Sequence, residues 1–315
     1  MRVLVTRRLT DDVMAAIAAR FDATLRDDPA PLSLAQARAA LADYDAILPT
    51  LGDDFSAAAF AGPVRARLLA NFGVGYNHID VAAARAAGVA VTNTPGAVTD
   101  ATADLALTLM LMSARRAAEG ERLVRAGLWT GWQPTQLLGM HMTGKVLGVI
   151  GMGRIGKAVA RRAHLGFQMP VVFFNRSAVS APGVPARQMD RIEQVMAAAD
   201  MVVIAVPGGP ETRHLIGARE LAAMAAHAHL INIARGDVVD EAALIDALRA
   251  GRIGGAGLDV YEGEPRVPQA LRDLDNVTLL PHLGTNAQEV RAAMGRMALD
   301  NLAAWAESRP LPNPV

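Results

Sequence analysis

Val146-Leu147-Gly148-Val149-Ile150, followed without a break by Gly151-Met152-Gly153-Arg154-Ile155-Gly156, decides the fold of this 315-residue chain. The apolar run reads as a buried strand, and the residues after it, 155–165, carry a helical pattern. In that setting the three glycines have separate tasks. Gly151 permits the tight turn, Gly153 lets a pyrophosphate approach the backbone, and Gly156 lets the helix pack on the strand, while the first amides of the helix face the anion. A glycine-rich turn that binds nothing is the competing reading, and the strand before and the helix after it favour a dinucleotide. FAD and S-adenosylmethionine sites use related loops, so the motif alone leaves the cofactor open.

Working outward, apolar runs at 146–150, 171–174, 201–206, 230–233, 256–260 and 277–280 alternate with helical stretches. Six strands are what a doubly wound dinucleotide-binding sheet needs. The first part of the chain alternates in the same way, with strands at 3–5, 46–48, 68–71 and 89–91 and helices at 11–20, 55–61 and 79–87. The turn cluster Asn93-Thr94-Pro95-Gly96 interrupts the series. Thr99 or Asp100 then caps a helix expected to run to Ala126, where Gly127 can end it. A last helix over 286–305 is expected to return to the first part, which makes that domain discontinuous. The expectation is an α/β chain with two domains, residues 1–98 plus 286–315 and residues 99–285.

Lys+Arg 31 against Asp+Glu 31 gives no net charge, so no global field draws the chain to nucleic acid or an anionic membrane. The longest apolar stretch, 105–112, is far short of the roughly 18 residues a bilayer requires. No cysteine is present, which removes disulfides, thiolate nucleophiles and cysteine metal sites and fits a reducing cytoplasm. His227 and His229 are spaced like a metal pair, yet no third ligand stands nearby in sequence, so no metal is expected. A small-molecule partner is left.

The strand at 171–174 ends in Asn175-Arg176-Ser177, about 20 residues past the fingerprint, where NAD enzymes place an acid on the ribose 2'-hydroxyl. None is there. A cation flanked by two small hydrogen-bonding side chains suits a 2'-phosphate, so NADP is preferred and NAD remains possible. Three more polar groups follow apolar strands, on the edge where such sheets bind ligands: Arg235 after 230–234, Asp259 with Glu264 after 255–258, and His282 after 279–281. Reduction of a 2-keto acid needs a cation for the carboxylate and carbonyl oxygen, a proton donor and a hydride donor. Arg235, His282 and the cofactor can supply them, with Glu264 stabilising the protonated ring. Singly, each residue also reads as an ordinary surface charge or loop histidine; together they do not.

At this point the chain resembles the D-isomer-specific 2-hydroxyacid dehydrogenases, most closely their glyoxylate and hydroxypyruvate reductases. The resemblance rests on Asn71-Phe72-Gly73-Val74-Gly75, residues 93–96, the fingerprint, residues 233–241, Leu258-Asp259-Val260-Tyr261-Glu262 with Glu264-Pro265, and Pro281-His282-Leu283-Gly284-Thr285. It implies two Rossmann-like domains, the discontinuous one flavodoxin-like, and a catalytic set of Arg235, Glu264 and His282. The substrate carboxylate would meet the Val74 and Gly75 amides, with Leu51–Asp53 and Trp129–Gln136 along the outer pocket. Beyond the fingerprint and the 175–177 segment, Thr102, Val206, Pro207, Thr212, Ile233, Asp259 and Gly284 would line the cofactor, Asp259 at the nicotinamide carboxamide. A homodimer built through the cofactor domains is also implied, with hinges at 94–99 and 281–286. Gly208-Gly209 departs from the more ordinary polar pair found in many relatives. The rival functions are reduction of a larger 2-keto acid and a non-catalytic dinucleotide sensor, against which the intact Arg, Glu and His set argues.

Overall fold

The computed structural model describes residues 1–315, which form two compact units, Met1–Val98 with Thr285–Val315, and Thr99–Gly284. In the first unit, β1 (Arg2–Val5), β2 (Asp22–Leu25), β3 (Ala46–Leu48), β4 (Leu68–Ala70) and β5 (Ala90–Thr92) form a parallel sheet in the order β2-β1-β3-β4-β5. This is the flavodoxin-like order. Its central strands are apolar because both faces are covered, and Val3, Val5, Ile47, Leu48, Leu68 and Leu69 are fully buried. The C-terminal helix Gln288–Ala306 lies against the helix Asp11–Arg20 so closely that a Cβ on Gly295 would stand 2.7 Å from Val13.

In the second unit, β6 (Leu147–Ile150), β7 (Val171–Phe174), β8 (Ala186–Gln188), β9 (Met201–Ile204), β10 (His229–Asn232), β11 (Gly255–Leu258) and β12 (Val277–Leu279) stand in the order β12-β11-β10-β9-β6-β7-β8, all parallel. From β6 the chain winds outward to β8, then returns to β9 on the other side of β6. That reversal opens a crevice at the carboxyl ends of β6 and β9, the place where such sheets bind ligands. Alternate residues of β9 and β10 feed two cores: Val202, Ile204 and Leu230 on one face, Val203 and Ile231 with Leu109 and Met110 on the other.

Three local expectations are corrected. The second sheet has seven strands where six apolar runs were read, because β8 is a mostly exposed edge strand with no apolar run; β2, also mostly exposed, went unread too. Residues 55–61 yield only a 3-10 turn, Ala57–Ala61. The helix expected over 99–126 is two helices, Thr99–Ala114 and Ala117–Arg125, parted by Arg116 in the left-handed region at φ 51°. The Ala114 carbonyl accepts the Met140 amide at 2.7 Å, and Gly139 passes so near that a Cβ there would lie 2.2 Å from that oxygen. The Met140 amide thus satisfies one of the carbonyls that the end of the first helix leaves without an intrahelical partner. No helix is long and apolar enough to cross a membrane.

Candidate active site

Two fingerprint glycines are demanded by the protein's own packing. Gly151 has φ 98°, and a Cβ there would stand 2.8 Å from the Ala205 backbone just past β9. On Gly156 a Cβ would stand 2.1 Å from the Gly151 carbonyl oxygen, which is the close approach of helix Arg154–Phe167 to β6. Gly153 differs: nothing lies within 4 Å of a Cβ placed on it. The space above the start of this helix, where first-turn amides have no intrahelical acceptor, is therefore open, and it fits the pyrophosphate of a dinucleotide.

Around this cradle the Met152 amide donates to Asn175 Oδ1 at 3.2 Å, tying the turn to the end of β7. Asn175 Nδ2 donates to the Ser177 carbonyl at 3.0 Å, and Gln188 of β8 donates to the carbonyls of Asn175 and Ser177. Arg176 pairs with Glu211 at 2.7 Å, a partner the sequence reading did not foresee. Thr212 Oγ1 donates to the Pro207 carbonyl at 2.8 Å, closing the loop after β9, and Val206 flanks Gly151. Ile233 is buried beyond β10, and the Thr102 hydroxyl donates to the Gly284 carbonyl at 3.2 Å.

The catalytic candidates follow β10, β11 and β12, three neighbours in the sheet. Asn232 shapes the first loop, its Nδ2 donating to the Arg235 carbonyl at 2.9 Å and its Oδ1 accepting the Ala234 amide at 3.0 Å. Gly236 then presses against the second loop, where a Cβ would fall 1.8 Å from the Tyr261 carbonyl carbon. Only glycine lets the loop bearing Arg235 lie this close to the loop bearing Glu264. Glu264 Oε1 accepts the Tyr261 amide at 3.0 Å, and Oε2 meets His282 Nδ1 at 2.9 Å. Asp259 shapes the third loop: its carbonyl accepts the His282 amide at 2.9 Å, and its carboxylate accepts those of Leu283 at 2.6 Å and Gly284 at 2.9 Å. These bonds hold His282 at φ 55°, in the left-handed region.

Electrostatics follow from this geometry. Burial alone would raise the Glu264 carboxyl, but the His282 hydrogen bond and charge, the Tyr261 amide and Arg235 outweigh it and leave Glu264 below its ordinary range. Asp259 goes the other way, pushed up by burial against its two amide bonds. The Arg235 guanidinium is lowered by burial, opposed by the charges of Glu264 and Asp237; Nη1 donates to the Ala234 carbonyl at 2.6 Å and the buried Nε has no partner. A half-buried cation with a buried, unused donor, beside an imidazole held by a carboxylate, makes a pair equipped to bind a carboxylate and to donate a proton to the carbonyl next to it.

The candidates Leu51, Val74 and Gly75 are in the first unit. There Asn71 Nδ2 donates to the carbonyls of Gly73 and Gly75 and Asn93 Nδ2 to that of Val74, so the loop is fixed by its acceptors and not by its Val74 and Gly75 amides. Leu51 is exposed, and its carbonyl accepts from Arg7. Arg291, missed in the sequence, sits over the Phe72 ring at 5.7 Å, lowered from its ordinary value by burial. Tyr261 and Gly236 were also missed, although both lie inside quoted motifs.

A cavity of about 790 Å³ lies elsewhere in the second unit, among residues before or at the start of β6, β10, β11 and β12 and thus on the opposite edge from the candidate catalytic groups. His227 there pairs with Asp200 at 2.6 Å, while His229, brought down to about 4 by burial and by the charge of His227, bonds Ser113 at 2.7 Å. The two rings are engaged separately.

Residues 107–284 match the family model described as D-isomer specific 2-hydroxyacid dehydrogenase, NAD binding domain. A glyoxylate reductase of Korarchaeum cryptofilum is 39% identical over 323 residues, spanning 100% of this chain and 95% of the relative. Among solved structures, a protein of Thermus thermophilus is 40% identical with a TM-score of 0.93 and full coverage of both chains. The NADPH-dependent glyoxylate/hydroxypyruvate reductase of Sinorhizobium meliloti, solved with NADP and malonate, is 34% identical with a TM-score of 0.89, covering 100% of this chain and 96% of that one.

Proposed function

The chain belongs to the D-isomer-specific 2-hydroxyacid dehydrogenase family, and from that premise we propose that it reduces glyoxylate or hydroxypyruvate to the D-2-hydroxy acid, with NADPH preferred over NADH. The observation that carries the reading is the 2.9 Å contact between His282 Nδ1 and Glu264 Oε2 beside the half-buried Arg235, whose buried Nε has no partner. With Nδ1 turned to Glu264, Nε2 is the nitrogen that gives its proton to the carbonyl oxygen. Arg235 neutralises the substrate carboxylate and polarises the carbonyl. Bound nicotinamide dinucleotide supplies the hydride. Oxidation of NADPH and NADH followed with glyoxylate, hydroxypyruvate, pyruvate and bulkier 2-keto acids tests the proposal. Turnover of the two small substrates is expected; exclusive use of bulky acids, or none at all, overturns it.

Glu264 is ionised at neutral pH because its pKa is held down, so it favours the charged ring that reduction requires. In Glu264→Gln that support is gone, and the pH at which reduction fades should move down. A pH profile of kcat/KM that keeps its basic limb in place removes Glu264 from this role.

NADPH preference is carried by Arg176, which replaces the ribose-binding acid. A charge-assisted bond to phosphate contributes about 1.5 to 3 kcal/mol, so Arg176→Ala should raise the KM for NADPH at least about tenfold and that for NADH little. A parent enzyme with higher kcat/KM for NADH rejects the preference while leaving the dehydrogenase assignment intact.

A homodimer formed through the cofactor-binding unit is also part of the proposal. Val124, Leu128, Trp129, Trp132 and Leu138 are exposed on one segment, and Trp132 keeps 82% of its surface. A run of exposed large apolar side chains of this kind is what an obligate partner covers. Light scattering should give twice the 33.1 kDa chain mass, and Trp132→Asp with Leu128→Asp should shift it toward one. A parent that is monomeric at micromolar concentration excludes the dimer.

A further inference from the structure

We propose that Glu211 sets the margin between the two dinucleotides: it holds Arg176 when no 2'-phosphate is present and supplies, from a neighbouring loop, the carboxylate that the end of β7 lacks. The inference rests on the assignment of Arg176 to the 2'-phosphate. Arg176 and Glu211 are 35 residues apart in sequence, yet Nη1 and Oε2 stand 2.7 Å apart. Both side chains are largely exposed, at 89% and 80%, so the pair is weak and exchangeable.

The backbone on either side of the pair is fixed. At the end of β7, Asn175 has its Oδ1 on the Met152 amide and its Nδ2 on Ser177, while Gln188 grips both neighbouring carbonyls. Arg176 is thus the one charged donor of the three, and nothing but Glu211 anchors it. Opposite it, Glu211 lies in the 3-10 turn Pro210–Thr212, closed by Thr212 Oγ1 on the carbonyls of Pro207 and Gly209 and by the Thr212 amide on Gly209. Gly209, at φ 151° with open space where a Cβ would be, starts that turn, which gives the Gly208-Gly209 departure a structural sense.

Two consequences follow for ligands. A 2'-phosphate carries nearly two negative charges and three acceptor oxygens, so it takes Arg176 from Glu211 and is also repelled by the carboxylate it displaces. A ribose 2'-hydroxyl needs no cation and is favoured by an acid nearby. Glu211 therefore works against NADPH and for NADH.

Calorimetric titration of the whole protein with NADP⁺ and with NAD⁺, without substrate, tests this. Glu211→Gln keeps size and removes charge. The ion pair it releases corresponds to up to about fivefold in affinity, so NADP⁺ should bind tighter by up to about fivefold and NAD⁺ slightly weaker. In an Arg176→Ala background the same change should yield a smaller gain, because no cation is left to release. If Arg176→Ala weakens NADP⁺ but Glu211→Gln leaves its Kd unchanged or larger, the role of Glu211 is overturned alone. If Arg176→Ala leaves NADP⁺ binding intact, the assignment of Arg176 falls and the inference with it.

Discussion

His282→Ala is expected to lower kcat at least about 100-fold while NADP⁺ titrations stay close to those of the parent, since a positioned general acid contributes about 10²- to 10⁴-fold. The size of the effect comes from how completely the ring is placed. Its backbone is held at φ 55° by the Asp259 carbonyl, and the carboxylate of Asp259 takes the next two amides. Nδ1 is oriented by Glu264, which leaves Nε2 as the only ring nitrogen free for the substrate. Alanine at 282 keeps the loop's hydrogen bonds because they are made by the backbone and Asp259. Loss of turnover with a preserved fold and preserved dinucleotide affinity is thus the signature of a missing proton donor. Near-normal kcat in the folded variant excludes His282 from the reaction.

The second large effect belongs to Arg235→Lys. Lysine keeps the charge but not the planar fork, so one charge-assisted bond to the carboxylate, worth about 1.5 to 3 kcal/mol, is lost. That corresponds to a fall in kcat/KM of about 10- to 100-fold, with KM rising and kcat falling together because in the proposed role the same group binds the carboxylate and polarises the carbonyl. Burial makes the exchange harsher, since an ammonium sheds its hydration less readily than a guanidinium. If KM and kcat both remain within about twofold of the parent, the bidentate role is wrong.

The α/β class and the parallel order were legible because fully buried strands must be apolar on both faces, and β6, β7 and β9 spell that out in runs of four. β2 and β8 escaped for the same physical reason inverted: an edge strand half in water carries no such run. The break at Arg116 was hidden because the contact that accompanies it, the Met140 amide on the Ala114 carbonyl, is made by a segment well beyond the local pattern. At the site, residues that end strands could be named from sequence, since open sheets offer ligands that edge. What could not be read were the contacts between loops, such as Gly236 against Tyr261 and Glu211 against Arg176. These depend on which strands become neighbours, and a single chain of letters does not state that order.

The sheet order has a consequence for the sequence of events during synthesis. The dinucleotide cradle is made by β6, the helix after it, β7 and the loop after β9, whereas Arg235, Glu264 and His282 wait for β10, β11 and β12, which dock outward one after another on the far side of the crevice. Chains are made from the amino end, and parallel strands can be added only after their long crossovers are complete. A growing chain of this protein thus completes the proposed pyrophosphate cradle before it carries the proposed catalytic residues.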